Sequence, residues 1–448
     1  MIDELARYRR RVWFGAGAYA AIYFLLDFDR YRTYSTNSDF AGIFGMVSDR
    51  SGLLRNAMEG GSHFGIHFSP LYDIAMPLVV LFSSPLPLLV LQAGAGALVA
   101  PGLYELGRRS LSPRWAFAVA ALAFVYPPLA GVIFGDPYET IFAPALTVWL
   151  FVAVVYRRWA FAALLAALTL AVKEDQALIL MWASLLAFVA ARREKDLGLQ
   201  RFAAGVALVS ALVLAAFLFA IRPAFAAGDG WFAFDRTWQA RVEDTSPGLS
   251  LLGRLGYLAE AFVPLALLPF FAPAALLFAA IPLLEVVVPR NAWMWTMGQH
   301  YAGVWVGYVL VATVYGAAAT FRRSPTRGRN LVVAALALCA ANLAFASPTH
   351  WRVFVHVPTP HFRLLDGLLA ARLPGTGSIG FQDEVYGHMV NRAGSQQGLA
   401  HSPRFALVDT TLAWSATGKI MQAQIAQRRY GEYTPVWRRD GIVLYERR

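Results

Sequence analysis

The chain has almost no cysteine, with one thiol, Cys339, in 448 residues. An intrachain disulfide is therefore excluded, and the apolar setting LVVAALALCAANLAF argues against a catalytic thiol. Charge is scarce as well. Only 15% of residues are Asp, Glu, Lys or Arg, and just 28 are acidic, where a soluble domain has about 25% charged residues. No HEXXH pair and no Cys/His set with zinc spacing is present, so structural zinc is not expected. Internal repeats and low-complexity tracts are missing too.

What fills the chain is apolar: 58% of residues are hydrophobic, which places it in a bilayer. The formal net charge of +11 is read as arginines anchoring cytoplasmic loops, not as a nucleic-acid surface. The N-terminus has a basic start and an apolar run but no small-x-small cleavage site, so it is expected to be a retained first helix. Spans need roughly 17–25 apolar residues. On that rule eleven helices are expected, near 12–28, 85–106, 114–133, 139–156, 159–173, 175–191, 202–222, 256–271, 273–289, 302–320 and 330–347. The Pro-rich pair 256–289 also reads as one broken hairpin. Segment 71–83 is too short to span and is expected to lie at the interface, following an outer loop over 29–70.

Arginine placement sets the orientation. Clusters at Arg9 to Arg11, Arg108/Arg109/Arg114, Arg157/Arg158, Arg192/Arg193/Lys195 and Arg322/Arg323/Arg327/Arg329 all fall on one side if the N-terminus is cytoplasmic. The other side collects the 29–70 loop, GDPYE, KED, the 223–253 loop, RNAWMWTMGQHY and the tail. The tail changes character near residue 348. LLDGLLAARL reads as an amphipathic helix, PGTG as a turn, and SIGFQ, FALVD and GIVLYER as buried strands. An extracytoplasmic α/β module over 348–448 is expected beside an all-α polytopic membrane domain over 1–347.

Five constellations carry candidate chemistry, because ionisable groups at membrane depth are costly and mark function. Asp39 follows the first span, where it serves either as a helix N-cap or as a base or metal ligand. His63 and His67 stand four residues apart in a Gly-rich stretch, able to face an anionic head group; His67, beside Phe68-Ser69-Pro70, is the better placed. GDPYE places Asp136 and Glu139 three residues apart, either as acids in a helix's first turn or as partners of Asp39. Lys173, Glu174 and Asp175 form a tight turn between two apolar runs. There the lysine meets either a lipid phosphate or its own acidic neighbours. His300 and Tyr301 follow WMWTMGQ and could complete the pocket, with Trp293 and Trp295 as interfacial anchors.

With HFSP, the acid-bearing turn between the third and fourth spans, KED and QHY in this order, the chain resembles a prokaryotic multipass membrane family, domain of unknown function 2079. That family is grouped with the GT-C glycosyltransferases, and the resemblance runs from about residue 37 to the GIVLYERR ending. More distantly the layout is similar to the aminoarabinose-lipid and protein-mannose transferases. The resemblance implies transfer of a sugar from a polyprenyl-phosphate carrier to a hydroxyl or amine at the outer membrane face. It implies Asp39 as base or acceptor-orienting group, Asp136-Pro-Tyr-Glu-Thr140 as the second acidic motif, and Lys173 and His67 near the carrier phosphate or a metal. A divalent cation (Mg or Mn), held by Asp39, Asp136 and Glu139, remains open, because Asp39 stands alone in NSDF instead of in a paired-acid motif. Two other functions compete: a transporter or lipid flippase, which needs ionisable residues in mid-span and broken helices, with Glu285 the main candidate; and a non-catalytic scaffold.

Overall fold

A computed structural model describes residues 2–56, 59, 61–226, 247–289, 291–346, 357–412 and 417–448. Much of the expected 223–253 loop and the expected boundary at residues 347/348 lie outside the described residues. The chain divides into two compact units. The first comprises Met1–Phe24, Phe64–Leu71 and Val90–Val353; the second comprises Leu25–His63, Tyr72–Leu89 and Phe354–Arg448.

The first unit is helical. Among the described residues, five helices are long and apolar enough to cross a membrane: Leu86–Gly107, Asp175–Glu194, Leu197–Phe225, His300–Arg323 and Pro325–Ala346. A sixth candidate is bent by 51° between Pro113–Val125 and Pro127–Ile133. The bend has a local cause: Tyr126 precedes Pro127 and adopts extended backbone (φ −77°, ψ 114°), because a residue before proline is pushed out of the helical region. Other expected spans are shorter or broken. Glu139–Val155 and Trp159–Leu170 are short apolar helices. The Pro-rich pair forms the helix Pro247–Phe262, a kinked passage with Ala266 and Leu267 at positive φ, and short turns leading to the helix Ala280–Val287. Pro264, Pro269 and Pro273 remove the donors a continuous helix would need.

Gly303–Arg323 is the central helix and is buried along nearly its whole length. Leu197–Phe225, by contrast, shows Leu208, Val209, Leu212 and Phe219 at its surface, the pattern of a lipid-facing span. Five of the arginine-bearing loops share one end of this unit. Glu105 bridges Arg9 (3.0 Å) and Arg108 (2.6 Å), and Arg157 meets Asp196 at 2.7 Å. Ser110, Trp115 and Arg329 line one small cavity there.

The second unit holds a short antiparallel pair, β1 (Arg55–Asn56) with β2 (Gly61–Ser62), and is built on a five-stranded sheet. Its strands are β3 (Ile379–Phe381), β4 (Ser395–Gln397), β5 (Phe405–Asp409), β6 (Tyr433–Arg439) and β7 (Ile442–Arg447), in the order β4-β3-β5-β7-β6. The first three run parallel; β7 is antiparallel to β5, and the edge strand β6 is antiparallel to β7. Side chains alternate along each strand. Ile379, Phe381, Leu407 and Leu444 enter one core with Leu365 and Leu368 of the helix Pro360–Ala371. Ala406, Val408, Val443 and Tyr445 enter another with Met421 and Ile425 of the helix Thr417–Ala426. Tyr34 and Ala41 join the first core. Residues expected in the outer loop of the membrane domain thus pack with the C-terminal module. Leu71–Phe82 is a 12-residue helix, about 18 Å long and too short to span; its Ile74, Leu78, Leu81 and Phe82 are exposed while Tyr72, Ala75 and Val79 are buried.

Candidate functional site

In the first unit the site begins at the turn between the helices Trp159–Leu170 and Asp175–Arg193. The segment carrying His67 is tied to it: the Leu71 N–H donates to the Ala171 carbonyl at 2.8 Å. Glu174 then clamps the segment with both oxygens, one 2.8 Å from His67 Nδ1 and the other accepting the Phe68 N–H at 2.9 Å. Burial pushes the Glu174 carboxyl up, but the facing His67 and its hydrogen bond, with Lys173 and the Phe68 N–H, bring it down to about 2. Phe64 and Phe68 pack against Phe225 and Phe217 at 5.8 and 6.1 Å. Gly65 is required there, because a Cβ would meet the Phe225 carbonyl oxygen at 2.7 Å. Ser69 is fully buried.

Lys173 lies between two carboxylates, 3.7 Å from Glu139 and 3.6 Å from Asp175. The charges at this turn therefore compensate one another, with Glu139 arriving from a distant part of the chain. The Asp175 carboxyl in turn hydrogen-bonds to the Glu285 carboxyl, and it accepts from Gln176 Nε2 at 3.0 Å. Buried Arg222 lies close enough to feel the charge of Glu174. It follows a π-helical turn at Phe217–Ile221, an irregularity found often at functional positions.

The GDPYE and QHY motifs also meet. The Tyr138 ring stacks on His300 at 3.6 Å, Thr140 Oγ1 donates to the His300 carbonyl at 3.2 Å, and Tyr301 lies 4.1 Å from His300. Two glycines allow the approach: a Cβ on Gly131 would meet Gly298 Cα at 2.5 Å, and Gly298 itself has φ +94°. Asp136 and Glu139 are both buried. The helix expected over 139–156 is found at Glu139–Val155, as a 3-10 turn at Glu139–Phe142 followed by the α-helix from Ala143. Asp136 thus lies ahead of that helix, and Glu139 is free to turn to Lys173.

An apolar cavity of about 500 Å³ lies further along the same helices, lined by Leu180, Ala187, Phe202, Phe271, Phe278 and Tyr315 among others and reaching Arg322. Its wall on the helix Asp175–Arg193 runs from Leu180 to Ala190, about 15 Å at 1.5 Å per residue. It starts five residues, or about 7.5 Å, from Asp175. The opposite wall, from Phe271 through Phe278, continues along the same segment to Glu285.

The second unit holds Asp39 and His63. Asn37, not Asp39, caps the helix Ser38–Val47: its side-chain oxygen accepts from the Asp39 and Phe40 N–H groups. Asp39 occupies the second helical position and is not consumed as a cap. A neighbouring carboxylate, Asp383, feels its charge. Burial pushes the Asp383 carboxyl up, the Gln397 amide at 2.9 Å opposes this, and Glu384 and Asp39 push it further up. The lone acid of NSDF therefore has an acidic companion, from a helix 344 residues on. His63 is buried and meets Glu59 at 2.9 Å, so the two histidines four residues apart serve different acids.

Asp383 and Arg222 were not among the residues singled out from sequence. A signal existed for Arg222, an Arg-Pro at the end of an apolar run away from the other arginines. For Asp383, in a stretch read as strand and loop, there was none. The divalent cation that the resemblance implied has no set of three or more His, Cys, Asp or Glu ligands among the described residues. No curated protein matches the chain significantly. The family model described as "Predicted membrane protein (DUF2079)" matches residues 43–366, short of the expected reach to the C-terminus. With 72% of its length inside that match, the chain belongs to this family of membrane proteins.

Proposed function

We propose that this protein is a GT-C-type glycosyltransferase of the cell membrane that moves a sugar from a polyprenyl-phosphate carrier to an acceptor hydroxyl at the outer face. In this reading the N-terminus is cytoplasmic, the C-terminal module is extracytoplasmic, and all eleven apolar segments lie at membrane depth as long, short or broken helices. One observation carries the proposal. Two helical segments, 175–193 and 271–287, each bear an ionisable group at one end, Asp175 and Glu285, and one wall of the apolar cavity further along. That is a receptor for an amphiphile with a polar head and a long apolar tail.

The chemistry fits the charges. The bond from sugar C1 to the phosphate oxygen breaks, and the phosphate leaves as an anion, so the protein must steady that charge and position the acceptor. Arg222 and His67 are assigned to the phosphate as the basic side chains gathered around Glu174 at this turn, where Lys173 meets Glu139 and Asp175. The carboxylates around Lys173 favour the positive charge that develops on the sugar in an oxocarbenium-like transition state. For the base the proposal keeps Asp39, as the resemblance implies; within the second unit it has Asp383 as its acidic neighbour.

The test is transfer by the purified chain in liposomes containing a polyprenyl-phosphate hexose, read as release of polyprenyl phosphate. Release that stops in Asp39→Asn and Arg222→Gln supports the assignment; release unchanged in both overturns it. A second reading, transport or lipid flipping, draws on the 51° bend, the broken segment after Phe262 and the carboxyl pair Asp175 and Glu285. Movement of a fluorescent lipid phosphate between leaflets, without sugar release, would favour that reading.

A further inference from the structure

The second unit contains a cavity of about 600 Å³ lined by Thr33, Tyr34, Ser35, His361, Phe362 and Thr411, with Thr359 and Leu412. The geometry points to a binding site for a neutral, polyhydroxylated ligand, a saccharide.

Its polar side is held in place by the end of β5. The carboxylate of Asp409 is fully buried, and its backbone N–H donates to Gln382 Oε1 at 2.6 Å. One carboxylate oxygen accepts from Thr411 N (2.9 Å) and Thr411 Oγ1 (2.6 Å). The other lies 2.6 Å from His361 Nε2. A proton on Nε2 faces the carboxylate, so in the neutral ring Nδ1 is the acceptor. That atom has no partner among the described residues. Hydroxyls stand elsewhere on the wall: Thr411 Oγ1 is 2.8 Å from His361 Nε2, and Thr33 Oγ1, which donates to the Asp29 carbonyl at 2.7 Å, lies 3.2 Å from Ser35 Oγ.

The apolar side is aromatic and fixed. Tyr34 has left-handed backbone (φ 53°) and its hydroxyl donates to Asp366 at 2.6 Å. Phe362 lies 5.9 Å from it, ring to ring. Among the described residues no lysine or arginine lines the cavity, and a buried carboxylate sits behind it, so phosphates and carboxylates are disfavoured. Hydroxyl groups, an imidazole and aromatic rings suit a sugar, which offers alternating hydroxyls and C–H faces. The volume lies within the range of about 300–1,000 Å³ that holds small ligands. Sugar binding stands by itself; that the sugar is the acceptor rests on the glycosyltransferase proposal.

The test is saturation-transfer NMR on the full chain in lipid nanodiscs, with the methyl glycosides of glucose, galactose, mannose and N-acetylglucosamine as probes. At least one probe is expected to bind. Phe362→Leu keeps apolar volume but removes the ring, and His361→Gln keeps a donor for Asp409 but removes the imidazole. Each is expected to weaken that probe about tenfold, or about 1.4 kcal/mol, while thermal unfolding stays close to wild type. Arg222→Gln, in the first unit, is expected to leave probe binding unchanged. Binding retained with sugar transfer absent would sink the enzyme proposal alone. No binding by any probe, or equal binding in both cavity variants, overturns the saccharide site.

Discussion

Replacing Lys173 with methionine tests whether the charged turn is a compensated cluster. Lys173 Nζ stands 3.7 Å from Glu139 and 3.6 Å from Asp175. At an effective dielectric constant of about 20, each attraction is worth about 4.5 kcal/mol before desolvation is subtracted. Removing one partner of a buried pair costs about 3–5 kcal/mol, because the other charge is left without compensation. Lys173→Met should therefore lower stability by about that much. Neutralising a stranded acid should restore part of it, so Lys173→Met/Glu139→Gln should be more stable than Lys173→Met alone. The assay is denaturant unfolding in detergent followed by tryptophan fluorescence, closed as a double-mutant cycle. If the double variant loses as much as the two single variants summed, Lys173 and Glu139 do not interact and the cluster is misread.

Three further outcomes follow from the geometry. His388 stacks between Tyr31 and Tyr34, each at 4.2 Å; burial depresses it to about 4, against a smaller opposing effect from the Tyr31 carbonyl. Its folded form thus stays neutral where the unfolded chain takes up a proton, so its contribution is complete above pH 6.5 and fades as pH falls toward 4. At about 1.4 kcal/mol per unit the loss approaches about 3 kcal/mol, and His388→Phe should flatten that part of the stability profile. Gly131→Ala should separate Gly131 from Gly298 and reduce transfer sharply with little change in lipid binding; wild-type transfer would show the close approach to be dispensable. On the proposed glycosyltransferase reading, Asp383→Asn should retain transfer better than Asp39→Asn; the reverse order in a release assay would exchange the roles proposed for them.

The KED turn was legible because three charges interrupt two apolar runs, and the short helix over 71–82 because SSPLP stops it. The partners were not legible. His67 and Glu174 are 107 residues apart, and nothing local distinguishes a histidine facing a lipid from one facing a carboxylate. The helix cap was misplaced by two residues because Asn37, Ser38 and Asp39 are all good capping residues, and only backbone geometry selects Asn37. The strands FALVD and GIVLYER stood out as apolar runs, while β4 is the polar SQQ. β6 holds Pro435 and a bulge between Pro435 and Trp437, and proline in a strand reads as a turn. The kinked passage after Phe262 was half visible: its prolines suggested a break, but the left-handed Ala266 and Leu267 left no mark in composition.

The central claim is that the charged turn and the apolar cavity together receive a lipid phosphate. The most direct measurement is native mass spectrometry of the protein purified in mild detergent, with the released lipids identified. A polyprenyl phosphate or its sugar conjugate should co-purify at near one per chain, and it should be lost in both Arg222→Gln and the cavity-filling Ala187→Phe. Bulk phospholipid alone, or a lipid phosphate retained equally by both variants, would contradict the account.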